Sequence, residues 1–179
     1  MLRSMNDLQG FTIAATDGDL GRVQDFYFDD VSFTVRHLVV DTGGWLGGRR
    51  VLISPMALPA IDWEGKRINA NLTKLQVEQS PDIDTDRPVS RQQEINYHQH
   101  YGYPLYWEGP FLWGHGPYPV MTSKTEVSSE ERWDWSGKVT DDPHLRSSSG
   151  VIGYRIQATD GVIGHVDDFL VEDSSWAIR

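Results

Sequence analysis

Apolar and polar positions alternate over short runs, and glycine or proline punctuates them. Ile13 to Ala15 reads as a brief strand, and Thr16-Asp17-Gly18 as a hairpin turn. The next strand runs from Leu20 to about Asp29, and its apolar phase slips. Val23 has one parity while Phe26 and Phe28 have the other, which predicts a β-bulge near Gln24-Asp25. Asp29 to Ser32 makes the next turn, and a third strand, Phe33 to Asp41, ends in the run Leu38-Val39-Val40. Arg50 to Ser54 is a fourth strand, stopped by Pro55. Ile61 to Trp63 and Arg67 to Ala70 form a hairpin around Glu64-Gly65, and Leu72 to Glu78 a short helix or turn. Such a succession predicts a mainly β fold, a small antiparallel barrel. Its expected core is Ile13, Leu20, Val23, Phe26, Phe28, Val35, Leu38, Val40, Val51 and Ile53.

The chain also repeats itself. Gly10 to Arg36 aligns without a gap on Gly153 to Arg179, sharing I-x-A-T-D-G-x-[LI]-G-x-V-x-D-F-x-[FV]-[DE]-D. The strand-phase slip recurs at Val166, Phe169 and Val171. Between the copies the character changes. Pro81 to Pro88 is an acidic, proline-bracketed linker. Ser90 with Gln93 is a capping-box signature, so a helix starts there and stops at Gly102. The segment YGYPLYWEGPFLWGHGPYP has neither helix nor strand period, and Thr122 to Trp135 is polar and acidic. The expected organisation is a barrel at residues 6–78, a linker, helix and aromatic-rich insert at 79–149, and a partial second copy at 150–179.

Composition narrows the function classes. The 179-residue chain carries a formal net charge of −10, which repels phosphate backbones and argues against nucleic-acid binding. No cysteine is present, so disulfides and thiolate metal sites are excluded. No apolar run is long enough for a membrane-spanning helix, and MLRSMNDLQG lacks the apolar core of a secretory signal. The expected setting is cytoplasmic, without membrane insertion.

The repeat motif, with R-H-L-V-V-D-T-G-G-W-L-G-G-R-R-V-L-I-S-P behind it, resembles the PRC-barrel domain family. That family includes the cytoplasmic domain of the photosynthetic reaction-centre H subunit and the C-terminal domain of the ribosome maturation factor. The resemblance implies a small β-barrel acting as a protein–protein docking module. It is similar above all to stand-alone bacterial proteins that carry two such units. This sequence has neither the membrane helix of the H subunit nor the separate N-terminal barrel of the ribosomal factor.

Candidate sites remain few. Asp17 and Asp25, with their repeats Asp160 and Asp168, read as structural: turn carboxylates and acceptors for backbone N–H groups freed at the bulge. EF-hand spacing fails, because the sixth and twelfth positions counted from Asp17 are Arg22 and Phe28. His98 and His100 stand two apart on the expected helix and face different ways, so they and His115 make a poor metal cluster. His144 reads as local packing. No metal, cofactor or catalytic residue is expected. The candidate interaction surface comprises Trp45 on a mobile glycine-rich tip, the cation pair Arg49 and Arg50, and the insert aromatics Tyr103, Tyr106, Trp107, Phe111 and Trp113, a segment expected to pack against the barrel or against a partner chain.

The expected function is that of a non-catalytic interaction or assembly module. Alternatives are a reaction-centre or electron-transfer accessory at the inner membrane surface, a ribosome-maturation-like factor, and an unrecognised enzyme. Copy two has no counterpart of His37 to Glu78, so Ile156, Ile163, Val166, Phe169, Val171 and Trp176 need cover. The expected cover is a homodimer built around copy two and the insert.

Overall fold

A computed structural model describes residues 1–83, 89–120 and 145–179. Part of the Pro81–Pro88 linker, the Thr122–Trp135 run and His144 lie outside the described residues.

The chain opens with β1 (Leu2–Ser4) and a single helical turn, α1 (Met5–Leu8), whose N-cap is the Ser4 hydroxyl. The barrel strands follow: β2 (Thr12–Ala15), β3 (Gly18–Asp29), β4 (Thr34–Asp41), β5 (Arg50–Ile53), β6 (Ala60–Asp62) and β7 (Arg67–Asn69). They make one sheet in the order β5-β4-β3-β2-β7-β6. Every pairing is antiparallel except β2 with β7, which run parallel. The anticipated bulge is present, since the β3–β4 register shifts between Val23 and Asp25. That slip turns Val23, Phe26 and Phe28 to the same interior, all three buried. The rest of the expected core, from Ile13 to Ile53, is buried with them.

Helix α2 (Lys74–Glu78) closes this half. Helix α3 (Arg91–Tyr101) starts at the Ser90–Gln93 capping box and ends at Gly102, whose φ of +69° is the left-handed C-cap. Two expectations change here. Gly43–Leu46 is a 3-10 turn rather than a mobile tip, with the half-buried Trp45 indole N–H donating to the Leu20 carbonyl. The aromatic insert is core, because Tyr103, Tyr106 and Trp113 are buried in the main cluster.

Copy two comprises β8 (Leu145–Ser147), the turn α4 (Ser148–Val151), β9 (Arg155–Ala158), β10 (Gly161–His165) and β11 (Leu170–Glu172). These elements coincide with β1, α1, β2 and the two ends of β3 under the repeat alignment. The register irregularity also repeats, between Ile13 and Ala14 in β2 and between Val162 and Gly164 in β10.

Phe26 is fully buried on β3 beside the bulge. Phe26→Ala should destabilise the protein by about 3–5 kcal/mol in a urea melt, the usual loss for a buried phenylalanine. A melt like that of the parent would place Phe26 outside the core.

Candidate functional site

The repeat extends further back than its glycine-rich motif. Leu2-Arg3-Ser4 precedes copy one, and Leu145-Arg146-Ser147 precedes copy two at the same spacing. Each of these strands pairs with the other copy. Strand β1 lies antiparallel on β11, with Leu2 opposite Glu172 and Ser4 opposite Leu170. Strand β8 lies antiparallel on the end of β3, with Leu145 opposite Asp29 and Ser147 opposite Tyr27. The two pairings are the same under the repeat alignment. Thr34 and Ala177, counterparts of each other, form an isolated antiparallel bridge. Val35 N–H donates to the Trp176 carbonyl at 2.9 Å and Ile178 N–H to the Phe33 carbonyl at 2.7 Å, one bond repeated from both sides. A local two-fold therefore passes through the Thr34–Ala177 pair, and the copies exchange their leading strands across it.

The repeated carboxylates secure this exchange. Asp25 accepts hydrogen bonds from the hydroxyls of Ser147, Ser148 and Ser149 and from the Ser149 N–H. Asp168 accepts from the Ser4 hydroxyl and the Asn6 N–H. Each also receives the N–H of the phenylalanine that follows it, Phe26 at 2.8 Å and Phe169 at 2.7 Å. Burial pushes the Asp25 pKa up, but the serine donors outweigh it and hold the carboxyl below its usual range. Arg146 pairs with Asp30 at 2.7 Å, and its counterpart Arg3 with Asp173 at 3.8 Å. Asp25 and Asp168 thus draw most of their donors from the opposite copy. Repetition of Leu-Arg-Ser was the available signal for them.

A second polar group fastens α3 to β4. Glu94 lies 3.9 Å from the His37 Nε2, 3.1 Å from the Arg91 Nη1, and accepts from the Tyr106 hydroxyl at 2.5 Å. Burial raises the Glu94 pKa, yet His37, Arg91 and Tyr106 outweigh it and leave the carboxyl below its usual range. The Arg36 guanidinium sits 3.9 Å over the Tyr106 ring and donates to Leu112, Asp29 and Ser32. Beside it an open cavity of about 460 Å³ is lined by Asp29, Arg36, Tyr106, Trp107 and Phe111. Its charged groups are already paired with one another. His98 donates its Nδ1–H to the Pro104 carbonyl at 2.8 Å, while His100 faces the Gln76 carbonyl. Among the described residues no group of three or more His, Asp or Glu side chains could hold a metal ion.

The expected contact surface mostly dissolves into structure. Tyr103, Tyr106 and Trp113 are buried, and the Trp113 indole N–H donates to the Ser175 carbonyl of copy two. Trp45 and Trp107 are half-buried, with Arg91 stacked 3.9 Å over Trp107. Arg49 donates to the carbonyls of Glu78, Ser80 and Pro81, which tie β5 to the end of α2. Arg50 and Phe111 stay exposed. Asp17 accepts the Lys74 N–H at 2.9 Å, whereas Asp160 makes no such bond.

The exposed apolar surface of copy two is its β9–β10 hairpin. Tyr154, Ile156 and Ile163 are 63%, 40% and 69% exposed, while their counterparts Phe11, Ile13 and Leu20 are 3%, 0% and 0% exposed. Val171 and Trp176, nearer the two-fold, are buried against copy one. Copy two is therefore covered at its axis and open at its hairpin.

Two predictions follow from these clusters. Asp25→Asn removes a charged acceptor from four donors of the opposite copy and from the Phe26 N–H. It should cost about 1.5–3 kcal/mol and speed amide exchange at Leu145–Val151, while exchange at β5 stays unchanged. Retention of slow exchange there would remove Asp25 from the exchange contact. The second concerns pH. Burial and the nearby His37 charge lower the His98 pKa to about 4. Its unfolded value is about 6.5. The unfolded chain thus binds the extra proton first as pH falls. His98's contribution is complete above about pH 6.5 and shrinks toward pH 4, by about 3 kcal/mol in all. The lowered carboxylates Asp25, Asp29 and Glu94 begin to lose theirs only as pH falls through the ordinary carboxylate range, at the foot of that window and below it. Melting followed from pH 7.5 down to 4.5 should fall steeply for the parent and less steeply for His98→Gln. Equal slopes would contradict the buried neutral imidazole.

Residues 2–77 match the family model of the PRC-barrel domain, so this part of the chain is a PRC-barrel domain. The match begins with β1, the strand lent to copy two. No curated protein matches the chain. No described helix is long and apolar enough to cross a membrane.

Proposed function

We propose that this PRC-barrel protein is a non-catalytic, cytoplasmic assembly module that docks another polypeptide on the open face of its β9–β10 hairpin. The observation that carries this reading is the exposure of Tyr154, Ile156 and Ile163, where the same positions of copy one are core. Apolar faces of this kind next to unpaired strand edges take up protein partners by strand addition. The polar clusters support a structural rather than catalytic role, since Glu94, Arg36 and Asp25 are each held by several fixed partners. A ribosome-maturation-like role needs a cationic face. The charge of −10 and the Arg49 contacts to carbonyls weigh against it.

A homodimer through the same hairpin is the second reading. It is favoured by the two-fold that already relates the copies within the chain, because isologous pairing suits such an element.

The test is Ile156→Asp with Ile163→Asp. Both side chains are exposed, so the melting temperature should stay within the range of neutral surface changes. Proteins retained by the parent in affinity purification from the native host should be lost by the double variant. Retention of every partner by a folded double variant would overturn the docking site.

A further inference from the structure

We infer that the open half of copy two is the acceptor for a β-meander with the chemistry of His37–Glu78, and that such a meander converts it into a second closed unit. The inference rests on the docking reading and names the kind of partner.

Copy one records what covers this hairpin. There β7 runs parallel on the outer edge of β2, from Thr12 opposite Arg67 to Ala14 opposite Asn69. The end of β4 runs on β3, with Arg22 opposite Asp41 and Val23 opposite Val40. Leu38, Val40, Val51, Ile53 and Ile68 join Ile13 and Leu20 in one buried cluster. Among the described residues the corresponding edges of β9 and β10 carry no strand, and these two make a sheet of their own.

Copy two also keeps residues whose counterparts in copy one are fitted to neighbours that its hairpin does not meet among the described residues. Gly21, at φ +155°, is glycine because a Cβ there would stand 2.0 Å from the Asp41 carbonyl oxygen of β4. Gly164 has the same identity and a φ of +151°, with nothing within 4 Å of its Cβ position. Gly18 lies 3.3 Å from Lys74 by the same measure, whereas Gly161 faces open space. Asp17 binds the Lys74 N–H, and Asp160 stands exposed with no such donor. A strand carbonyl, a parallel edge strand and a backbone N–H beside the turn are thus missing together. One segment, His37–Glu78, supplies all of them in copy one. A second copy's hairpin would cover Ile156 and Ile163, but it brings no N–H to Asp160 and no parallel strand to β9.

The experiment joins a second copy of residues 37–80 behind Arg179, in the register that Arg36 and His37 have in copy one. Hydrogen exchange is read at Arg155–Ala158 and Gly161–His165. These amides should slow by about a hundredfold or more, as expected when an open segment joins a cooperative unit. Binding of an apolar dye should fall. A companion fusion with aspartate at the positions matching Leu38 and Val40 should leave them fast. The inference is overturned if the hairpin amides and the joined residues of the first fusion both stay unprotected. It is likewise overturned if the joined segment displaces β4 and copy one loses protection. Protection that rises with concentration in the unfused chain would identify a second copy as occupant. In that case this inference fails and the docking reading stands. If a folded Ile156→Asp, Ile163→Asp variant keeps every partner, the docking reading fails.

Discussion

A carboxylate at a strand slip holds the two copies together. Where β3 changes phase at Asp25, one residue leaves the ladder and local backbone groups lose their strand partners. Asp25 satisfies the Phe26 N–H with one oxygen and has acceptor capacity to spare. The serines that fill it lie at the end of β8 and the start of α4 in copy two, and Ser4 does the same for Asp168. A carboxylate is half-buried in each copy without penalty because the other copy brings the donors. The exchange of β1 and β8, the Arg146–Asp30 pair and the crossing at Thr34–Ala177 all follow the same two-fold. Neither leading strand has a place within its own copy.

The insert obeys a different requirement. Its aromatics cover β4 and β5, but that face also carries Arg36 and His37, both buried. A cation and an imidazole inside a barrel wall need partners close by. Helix α3 supplies Glu94 directly after the capping-box Gln93, and Tyr97 three residues further on, both in the interior. The Tyr97 hydroxyl donates to the Leu52 carbonyl and accepts the Ser54 N–H, so the helix is tied to β5 as well. Tyr106 then closes the group by donating to Glu94. An aromatic-rich segment without lysine looked like a contact surface. The Tyr106 hydroxyl and the Trp113 N–H instead serve internal polar atoms, the role such residues take when buried.

Local features of the fold were legible in the sequence. The bulge followed from the parity of Val23 against Phe26, α3 from Ser90 and Gln93, and its stop from Gly102. Each depends on neighbours in the chain. What the sequence reading missed depends on distant ones. Nothing local to Asp25 indicates that Ser147 will face it, and only the second Leu-Arg-Ser ahead of copy two carries that information. Trp45 looked free because glycines flank it. The carbonyl that receives its indole N–H belongs to Leu20, on another strand. Arg49 and Arg50 looked like one cationic pair. Arg49, just ahead of β5, reaches the carbonyls after α2, while Arg50 opens the strand and is exposed.

Comparison of the two copies separates what a strand encodes from what its surroundings impose. The β9–β10 hairpin keeps the turn, the glycines and the register irregularity of β2–β3 with no strand of the described residues on either edge. Those properties therefore reside in the repeat motif. Strand length does not. Copy one runs unbroken from Gly18 to Asp29 because β4 pairs along it, while copy two breaks between His165 and Leu170. Burial is equally a matter of neighbours, since isoleucine is sealed at position 13 and open at 156. A two-stranded hairpin without cover is marginal in water. The hairpin is thus the part of the described chain with the least to lose by opening, and the most apolar surface to gain from a partner.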